Sequence, residues 1–401
     1  MNRFISSSLS FSRKCSSLQK AKKTCLNELH KKYNGKMVQF AGYEMPVEYE
    51  KHSVIDSVKH TRSCVSIFDV SHMLQTHIKG KDSIPFIESL TTSDVEGLKD
   101  NSGALTVFTN DIGGIEDDLI VSKTSDGFLY MVTNAGCIHK DLPYLLSNAE
   151  KWRKNGKDVE IEVLENRGLV AVQGPQASLL LKDETDIDMD KLYFMNTTVG
   201  TVFGIPDCRV TRCGYTGEDG VEISVDPTKA SLLVERMLSN KNQINVRLAG
   251  LGARDVLRLE AGLCLYGNDI NERTTPMEGN ISFVVAKRRR QTLGFPGAEK
   301  IIKQLEEKKC PKKRMGFIAE PGRAPRSHIP IVDPLDKASI GFITSGAPSP
   351  IVGKNISMGY IDFPDAKIGK TVLVSFGKKE VKITVSKMPF VDTHYYLPPK
   401  K

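Results

Sequence analysis

Six short runs of strand-forming residues fill the last quarter of the chain, and they constrain its fold more than any other feature. Turns rich in Gly, Pro and Asp separate them, and each run is too short for a stable helix. The runs are Met315–Ala319, Ile329–Val332, Ser339–Thr344, Asn355–Ile361, Val372–Phe376 and Glu380–Ser386. Short strands separated in this way are typical of small antiparallel barrels. The pattern therefore predicts that the chain ends in a small β-barrel domain.

The chain before residue 300 shows a different pattern, in which strands alternate with isolated helices but not at the regular spacing of βαβ units. This arrangement favours an α+β fold with antiparallel sheets. The length of 401 residues also exceeds what one core usually serves. A stretch rich in Lys and Arg over residues 286–313 approaches a domain boundary. We therefore predict one region over residues 24–300 and a barrel domain over residues 301–401.

Two helices of the first region can be given ends from the sequence. Residues 24–35 are predicted to form a short helix that Thr24 caps and Gly35 ends. Residues 138–154 are predicted to form a longer amphipathic helix.

The first 27 residues contain no Asp or Glu and six Lys or Arg, and seven of the first seventeen are Ser. Such a start is typical of a mitochondrial transit peptide, which predicts removal of residues 1–23 and a location in the matrix. A disordered basic tail is the alternative. Without these six charges the formal net charge falls from +8 to +2. A chain so nearly balanced gives little support to nucleic-acid binding.

Neither membrane nor metal chemistry is favoured by the sequence. No apolar segment approaches the ~20 residues that a bilayer-spanning helix needs. The eight Cys residues include no Cys-x-x-Cys pair, and the eight His residues form no cluster at metal-ligand spacing. We therefore expect reduced thiols, most of them in the core, and no metal cofactor.

The stretch Asn110–Val121 places three consecutive acids between a Gly-Gly turn and an apolar strand. Side chains alternate between the two faces of a strand, so at least one of these acids should turn inward. Burial of an unpaired carboxylate is costly. The inward acid must therefore meet a cation, a hydrogen-bond donor or a ligand. The three acids are Glu116, Asp117 and Asp118.

Residues 248–260 are predicted to form a helix that carries Arg254 and Arg258 four positions apart on one flank. Either arginine could pair locally with Asp255 or Glu260. Arg254 could instead bind a carboxylate of a ligand, for which its planar guanidinium is well suited. The glycines that open this helix lack the third Gly and the preceding strand of a dinucleotide-binding fingerprint.

Other single residues also leave two interpretations open. Tyr215, in a Gly-rich turn, could be a packed corner tyrosine, and Glu222 could be a surface residue of its strand. The basic run Lys287–Arg290 could be a solvated face or a contact for an acidic protein partner. No aromatic residues alternate with it, so single-stranded nucleic acid is a weaker candidate.

Eight motifs taken together are far more specific than any one of them. They are Phe68–Met73, Gly113–Asp118, Asn134–Gly136, Gln173–Pro175, Arg212–Glu222, Gly252–Gly262, Tyr266–Asp269 and Thr344–Pro350. In this order the chain resembles the aminomethyltransferases, the T-proteins of the glycine cleavage system. The resemblance runs from about residue 26 to Tyr396.

The resemblance implies a three-domain, cloverleaf-like arrangement around a central opening that binds tetrahydrofolate. It implies transfer of a methylene group from an aminomethyl group, carried on the dihydrolipoyl arm of H-protein, to tetrahydrofolate. The products are 5,10-methylenetetrahydrofolate, ammonia and the reduced arm. Tetrahydrofolate is then a co-substrate, and lipoylated H-protein and the other glycine cleavage components are the expected partners. Nucleic acid and membrane are not.

The resemblance also assigns roles to residues. Asp118 is the expected catalytic carboxylate near N10 of the folate, with Asp117 as its more solvated neighbour. The expected folate-binding residues are Glu222, Arg254, Tyr395, Tyr215, Met73 and Asn134. Two departures from the family pattern, Asp56-Ser57 and Phe283, touch none of these positions.

Several relatives on the same fold offer alternatives. A flavin-fused demethylating dehydrogenase would need a Gly-x-Gly-x-x-Gly fingerprint, and a folate-binding iron–sulfur assembly factor would carry a Lys-Gly-Cys-Tyr-x-Gly-Gln-Glu loop. Neither motif occurs. A folate-binding scaffold or sensor without catalysis remains the alternative to an enzyme.

Overall fold

The computed structural model describes residues 21–377 and 379–399. The predicted transit peptide, residues 1–23, lies almost wholly outside these residues. Within them, no helix is both long and apolar enough to cross a membrane.

Most of the described chain before residue 300 forms short strands joined by single helices. Its strands are β1 (Lys22–Lys23), β2 (Gly35–Phe40), β3 (Tyr43–Tyr49), β4 (Val65–Asp69), β5 (Leu74–Lys79), β6 (Ser102–Thr109), β7 (Ile115–Lys123), β8 (Leu129–Thr133), β9 (Glu160–Val163), β10 (Gly168–Gln173), β11 (Thr197–Val202), β12 (Ile205–Thr211), β13 (Gly220–Val225) and β14 (Val246–Leu248). The α-helices are α1 (Asn27–Lys32), α2 (Val54–Ser63), α3 (Ser83–Leu90), α4 (Ile138–Lys154), α5 (Ala177–Lys182), α6 (Ala230–Leu238), α7 (Leu251–Glu260), α8 (Arg289–Thr292) and α9 (Ala298–Glu307).

Two larger sheets share this part of the chain. One has six strands in the order β11-β12-β13-β10-β4-β14, and the other has five in the order β6-β7-β8-β5-β9. The chain leaves the first sheet after β4 to begin the second at β5, and it returns from β9 to β10. Every pair in the five-stranded sheet is antiparallel, whereas β14 joins β4 in parallel. The whole five-stranded sheet is thus inserted between β4 and β10 of the six-stranded sheet.

The sequence predicts the boundaries of two helices, and the structure confirms one prediction but not the other. Helix α4 spans Ile138–Lys154, as predicted. The first helix was expected over residues 24–35 with a Thr24 cap, but it spans only Asn27–Lys32 and has no side-chain cap. Thr24 instead donates a hydrogen bond to Asp69 Oδ2 at 2.7 Å. The prediction of its cap was wrong because a long-range partner competes for the Thr24 hydroxyl.

The C-terminal part is a closed barrel, as the six runs predicted. Its strands are β15 (Lys312–Ala319), β16 (Pro330–Val332), β17 (Ser339–Pro348), β18 (Asn355–Asp362), β19 (Thr371–Ser375) and β20 (Glu380–Ser386). They close in the order β15-β18-β17-β16-β19-β20, and a core that includes Phe317, Ile343 and Val374 fills the barrel. The predicted fold class, α+β with antiparallel sheets and a C-terminal barrel, is confirmed.

The barrel is tied to the preceding region by buried polar contacts at α7. Arg258 donates to Ser345 Oγ of β17 at 2.9 Å, and Thr344 donates to the Asp269 carboxylate. Ser349, beyond the end of β17, donates to Glu260 Oε1 at 2.6 Å. The end of α7 therefore lies at the junction between the barrel and the six-stranded sheet.

Candidate active site

Strand β7 carries the acidic triplet, and its pleat separates the three acids. Asp117 lies on the same face as Leu119 and Val121, and it is 0% exposed. Glu116 and Asp118 lie on the opposite face and are half-buried. Asp117 was expected to be the more solvated neighbour of Asp118. That expectation was wrong, because Asp117 alternates in step with the apolar residues that follow it.

The Gly-Gly turn before β7 fixes where the strand begins. Gly113 has φ +75°, which favours glycine. A Cβ on Gly114 would lie 1.8 Å from the carbonyl oxygen of Glu272, so only glycine fits there. Asn110 closes the turn by accepting from Gly114 N at 2.8 Å, and its Nδ2 donates to Glu116 Oε1 at 2.9 Å. The turn therefore packs tightly against the segment around Glu272.

Sheet register brings Asn134 to the acids. Leu119 of β7 pairs with Thr133 of β8, so the next residue, Asn134, lies beside Asp118 and Asp117. Asn134 donates to Asp117 from its backbone N at 3.1 Å and from Nδ2 at 2.9 Å. The same Nδ2 lies 3.1 Å from Asp118 Oδ1 and 2.9 Å from the Asp118 carbonyl oxygen. Asn134, expected to line the pocket, is a clamp that holds both carboxylates.

The same register places Met73 near the site. Thr133 also pairs with Leu74 of β5, so Met73 precedes the strand at the same edge as Asn134. Met73 is half-buried and packs against a cluster that includes Phe68, Tyr130 and Val256.

The Asp118 carboxyl is held at an unusual pKa. Burial, and then the charge of Asp117, raise the pKa of Asp118 to about 8. In the described chain, Asn134 is the only side chain that donates a hydrogen bond to Asp118. That bond goes to Asp118 Oδ1 and not to Oδ2.

Arg254 lies close to two other predicted folate-binding residues, Tyr215 and Glu222. The guanidinium carbon of Arg254 lies 4.9 Å from the centroid of the Tyr215 ring, and Tyr215 donates its hydroxyl hydrogen to the carbonyl oxygen of Cys264. Burial raises the pKa of Glu222, and the charge of Arg254 offsets part of that effect. Burial is also the main cause of the raised pKa of Tyr215, to which the charge of Asp118 adds. These effects place all four residues in one electrostatic neighbourhood.

Arg254 is half-buried, and its side chain has no hydrogen bond to any residue that the structure describes. Its Nη1 atom is fully buried and has no hydrogen-bond partner among the described residues. Arg258, one turn further along α7, instead lies 2.7 Å from Asp255 and 2.6 Å from Asp269. The local-pairing interpretation therefore holds for Arg258 and not for Arg254. A buried donor without a partner is costly, which indicates that a ligand satisfies it.

Tyr395 approaches from the C-terminal segment after the barrel. Its ring stacks on Phe194 with centroids 4.2 Å apart and an interplanar angle of 23°. Burial raises the pKa of Tyr395, and the nearby charge of Arg62 partly offsets this. Arg62 bonds the carbonyl oxygen of Thr216, the residue after Tyr215, at 2.7 Å. Arg62 therefore lies near both Tyr395 and the turn that carries Tyr215.

Sequence reasoning missed one residue beside the acids. Asp141 of α4 is 2% exposed and packs close to Asp117 and Cys137. A signal was present, because Asp141 lies four and eight positions before Leu145 and Ala149, the other buried residues of that helix. An acid on the apolar face of a predicted amphipathic helix marks a buried carboxyl.

In the basic run Lys287–Arg290, the two middle cations are held within the fold, whereas Lys287 and Arg290 are exposed. Arg288 pairs with Glu88, Asp94 and Glu96. Arg289 is 5% exposed, and Arg290 donates to two backbone carbonyl oxygens. Three of the four cations therefore have partners within the fold.

Comparison with known proteins gives a consistent result. Residues 26–289 match the GCVT N-terminal domain, and residues 312–392 match the glycine cleavage T-protein C-terminal barrel domain. The chain is 50% identical to the mitochondrial aminomethyltransferase of Mus musculus over 386 residues, which cover 96% of this chain and 94% of the relative. It is 49% identical to that of Homo sapiens over 375 residues, covering 94% and 91%. The crystal structure of glycine cleavage system aminomethyltransferase T from Bartonella henselae superposes with a TM-score of 0.85 at 34% identity, covering 94% of this chain and 99% of that one.

Proposed function

The chain belongs to the glycine cleavage T-protein family, the tetrahydrofolate-dependent aminomethyltransferases, and on this basis we propose that Asp118 is its catalytic carboxylate. Arg254 and Glu222 then bind the folate. The folate pocket is lined by Tyr215, Met73 and Tyr395, and Asn134 positions Asp118.

The observation that carries the folate-binding part of this proposal is the unpartnered Nη1 atom of Arg254. Its buried Nη1 has no acceptor among the described residues, although Tyr215 and Glu222 lie close by. Tetrahydrofolate offers carbonyl and carboxylate oxygens as acceptors, and its pterin ring offers N–H donors. Glu222, whose pKa is raised by burial, gains a partner when such donors reach it. The site thus suits a ligand that has both groups.

Asp118 supplies the charge that methylene transfer needs. The N5 nitrogen of the folate attacks the methylene carbon as the carbon–nitrogen bond to ammonia breaks, and positive charge develops on the attacking nitrogen. N10 then bonds to the same carbon while the carbon–sulfur bond breaks, and the two protons that N5 and N10 lose go to ammonia and to the thiol of the arm. A carboxylate fixed beside N10 stabilises this charge without reorganising, because Asn134 already holds one of its oxygens. Alignment of the two nitrogens with the methylene group supplies the other large contribution.

The partners and location follow from the family and from the leader. We propose that lipoylated H-protein delivers the aminomethyl group, that the other glycine cleavage components act with it, and that the enzyme works in the mitochondrial matrix. The relatives carry mitochondrial names, which supports the location. No step of this mechanism requires a metal, a nucleic acid or a membrane.

Ammonia release distinguishes an enzyme from a folate-binding scaffold or sensor. We expect the leader-free protein to release ammonia from aminomethyl-loaded H-protein only when tetrahydrofolate is added, with one 5,10-methylenetetrahydrofolate formed for each ammonia. Loaded H-protein without this enzyme is the control. Tight folate binding without ammonia release would favour the scaffold and would contradict the proposal.

The activity should depend on pH through Asp118. Only the ionised carboxylate stabilises positive charge, and burial raises its pKa to about 8 in the free enzyme. The kcat/KM for tetrahydrofolate, which reports ionisations of the free enzyme, should therefore rise with pH up to about 8 and fall about tenfold per unit below it. Steady-state rates across this range test the prediction, with folate binding measured in parallel. A flat profile down to pH 6 would count against the role given to Asp118.

A further inference from the structure

Asp141 is a buried acid to which the proposed mechanism gives no role. It lies in the first turn of α4, is 2% exposed, and its Oδ2 has no hydrogen-bond partner in the part of the chain that the structure describes. A carboxylate oxygen of Asp117, one of Asp141 and Sγ of Cys137 all lie within 4.8 Å of one another. Buried polar atoms without a partner are rare, so this cluster requires an explanation.

Among the described residues no cation forms an ion pair with either carboxylate, although the charge of Lys140 offsets part of the rise in the pKa of Asp141. Lys140, the neighbour of Asp141 on α4, is committed to Glu116, whose carbonyl oxygen it binds and whose Oε2 lies 3.3 Å away. It also donates to Tyr266 Oη at 2.7 Å.

The other titratable groups facing the cluster carry no positive charge. Burial raises the pKa of both the Cys137 thiol and the Tyr266 hydroxyl, so both are neutral at ordinary pH. Asp118, on the opposite face of β7, adds negative charge when it ionises. Two carboxylates so placed cannot both remain charged, and one proton between them removes the repulsion. Burial raises the pKa of Asp117 and Asp141, and the charge of Asp117 raises that of Asp141 further.

We propose that Asp141 is a positioning residue for Asp118, and that it acts through a proton shared with Asp117. This inference rests on the role proposed for Asp118. The protonated Asp141 carboxyl donates to Asp117, and Asp117 accepts from Asn134 N at 3.1 Å and Nδ2 at 2.9 Å. Asn134 Nδ2 in turn holds Asp118 Oδ1 at 3.1 Å. The four residues form one hydrogen-bonded network from α4 to the catalytic carboxylate.

These hydrogen bonds explain why a hydrogen-bond donor is required at position 141. Without a donor there, Asp117 loses one of the groups that fix its orientation and can release Asn134. Asp118 would then no longer be aimed at one point, and a misplacement of about 1 Å can cost on the order of 100-fold in rate. Folate affinity should not change, because Arg254 and Glu222 take no part in this hydrogen-bonded network.

Two substitutions that keep the branched shape and the number of heavy atoms of Asp separate hydrogen bonding from packing. Asp141→Asn keeps an N–H donor toward Asp117 and should keep kcat near the wild-type value. Asp141→Leu removes the donor and should lower kcat by about 10- to 100-fold, with the KM for tetrahydrofolate unchanged. Glu150→Gln, on the exposed side of the same helix, is the control and should change neither constant. Equal loss of kcat in the Asn and Leu variants would overturn the proposal.

An infrared difference spectrum gives a readout independent of turnover. At neutral pH, wild type minus Asp141→Asn should show the C=O stretch of one buried, protonated carboxylic acid. Because the band does not depend on catalysis, it distinguishes failure of this inference from failure of the role of Asp118. If the Leu variant does not fold, the band and the kcat of the Asn variant decide. Absence of the band, or a divalent metal bound one-to-one in the purified protein, would overturn the shared proton.

Discussion

Replacing Asp118 with Asn is expected to lower kcat by at least about 10²- to 10³-fold, the range lost when one stabilising group is removed from a reacting centre. The amide has nearly the same volume, and its oxygen can still accept from Asn134 Nδ2, which lies 3.1 Å from Oδ1 in the wild type. The negative charge that stabilises the developing cation is lost. The change therefore falls on the chemical step and not on the fold.

The measurement is the rate of ammonia release under saturating folate, together with the thermal midpoint of unfolding. The midpoint should stay the same or rise, because the substitution removes a carboxylate whose ionisation is opposed by burial. Asp111→Asn makes the same change at an exposed acid in the preceding turn and should leave kcat unaltered. Turnover at the wild-type rate in Asp118→Asn would remove Asp118 from the mechanism.

Replacing Arg258 with Met should produce the largest loss of stability. Arg258 is 2% exposed and binds Asp269, which is 0% exposed, at 2.6 Å. It also binds Ser345 of the barrel at 2.9 Å. Removing one partner of a buried ion pair leaves the other charge uncompensated and typically costs about 3–5 kcal/mol. The denaturant midpoint of unfolding should fall accordingly.

Arg254→Met is the matched control, because it removes an arginine one turn earlier on the same helix. The side chain of Arg254 has no ion pair or hydrogen bond among the described residues, so its loss should destabilise the fold much less than the loss of Arg258. It should instead weaken folate binding. Equal destabilisation by the two substitutions would show that the Arg258–Asp269 pair contributes nothing specific.

Local patterns in the sequence predict the elements, but not the long-range partners. The six runs predict the barrel because their strands pair with near neighbours, and the periodicity of residues 138–154 predicts α4 to the residue. The sequence does not reveal that Arg258 pairs with Asp269, or that Ser345 of another domain joins them. These partners depend on how the domains pack, which no local pattern encodes.

The site shows the same division between local and distant information. Family motifs predict which residues surround the folate, yet the relative burial of Asp117 and Asp118 was assigned the wrong way round. The sequence indicates that the acids precede an apolar strand, whereas β7 begins at Ile115 and includes all three of them. Which face an acid takes depends on the pairing register, and the Gly113-Gly114 turn and the partner strand fix that register.

The insertion of the five-stranded sheet between β4 and β10 determines the order in which the two sheets can form. Strand β4 pairs with β10 on one side and with β14 on the other, and both of these strands come much later in the sequence. Val65, for example, pairs with Val246. Pairings so distant in sequence are slow to form, since the closure entropy of a long loop precedes any gain. During synthesis the five-stranded sheet, which is made only of β5 to β9, can form before β10 and β14 exist, whereas the six-stranded sheet cannot. The six-stranded sheet therefore remains incomplete until the chain has been made as far as Leu248, the end of β14.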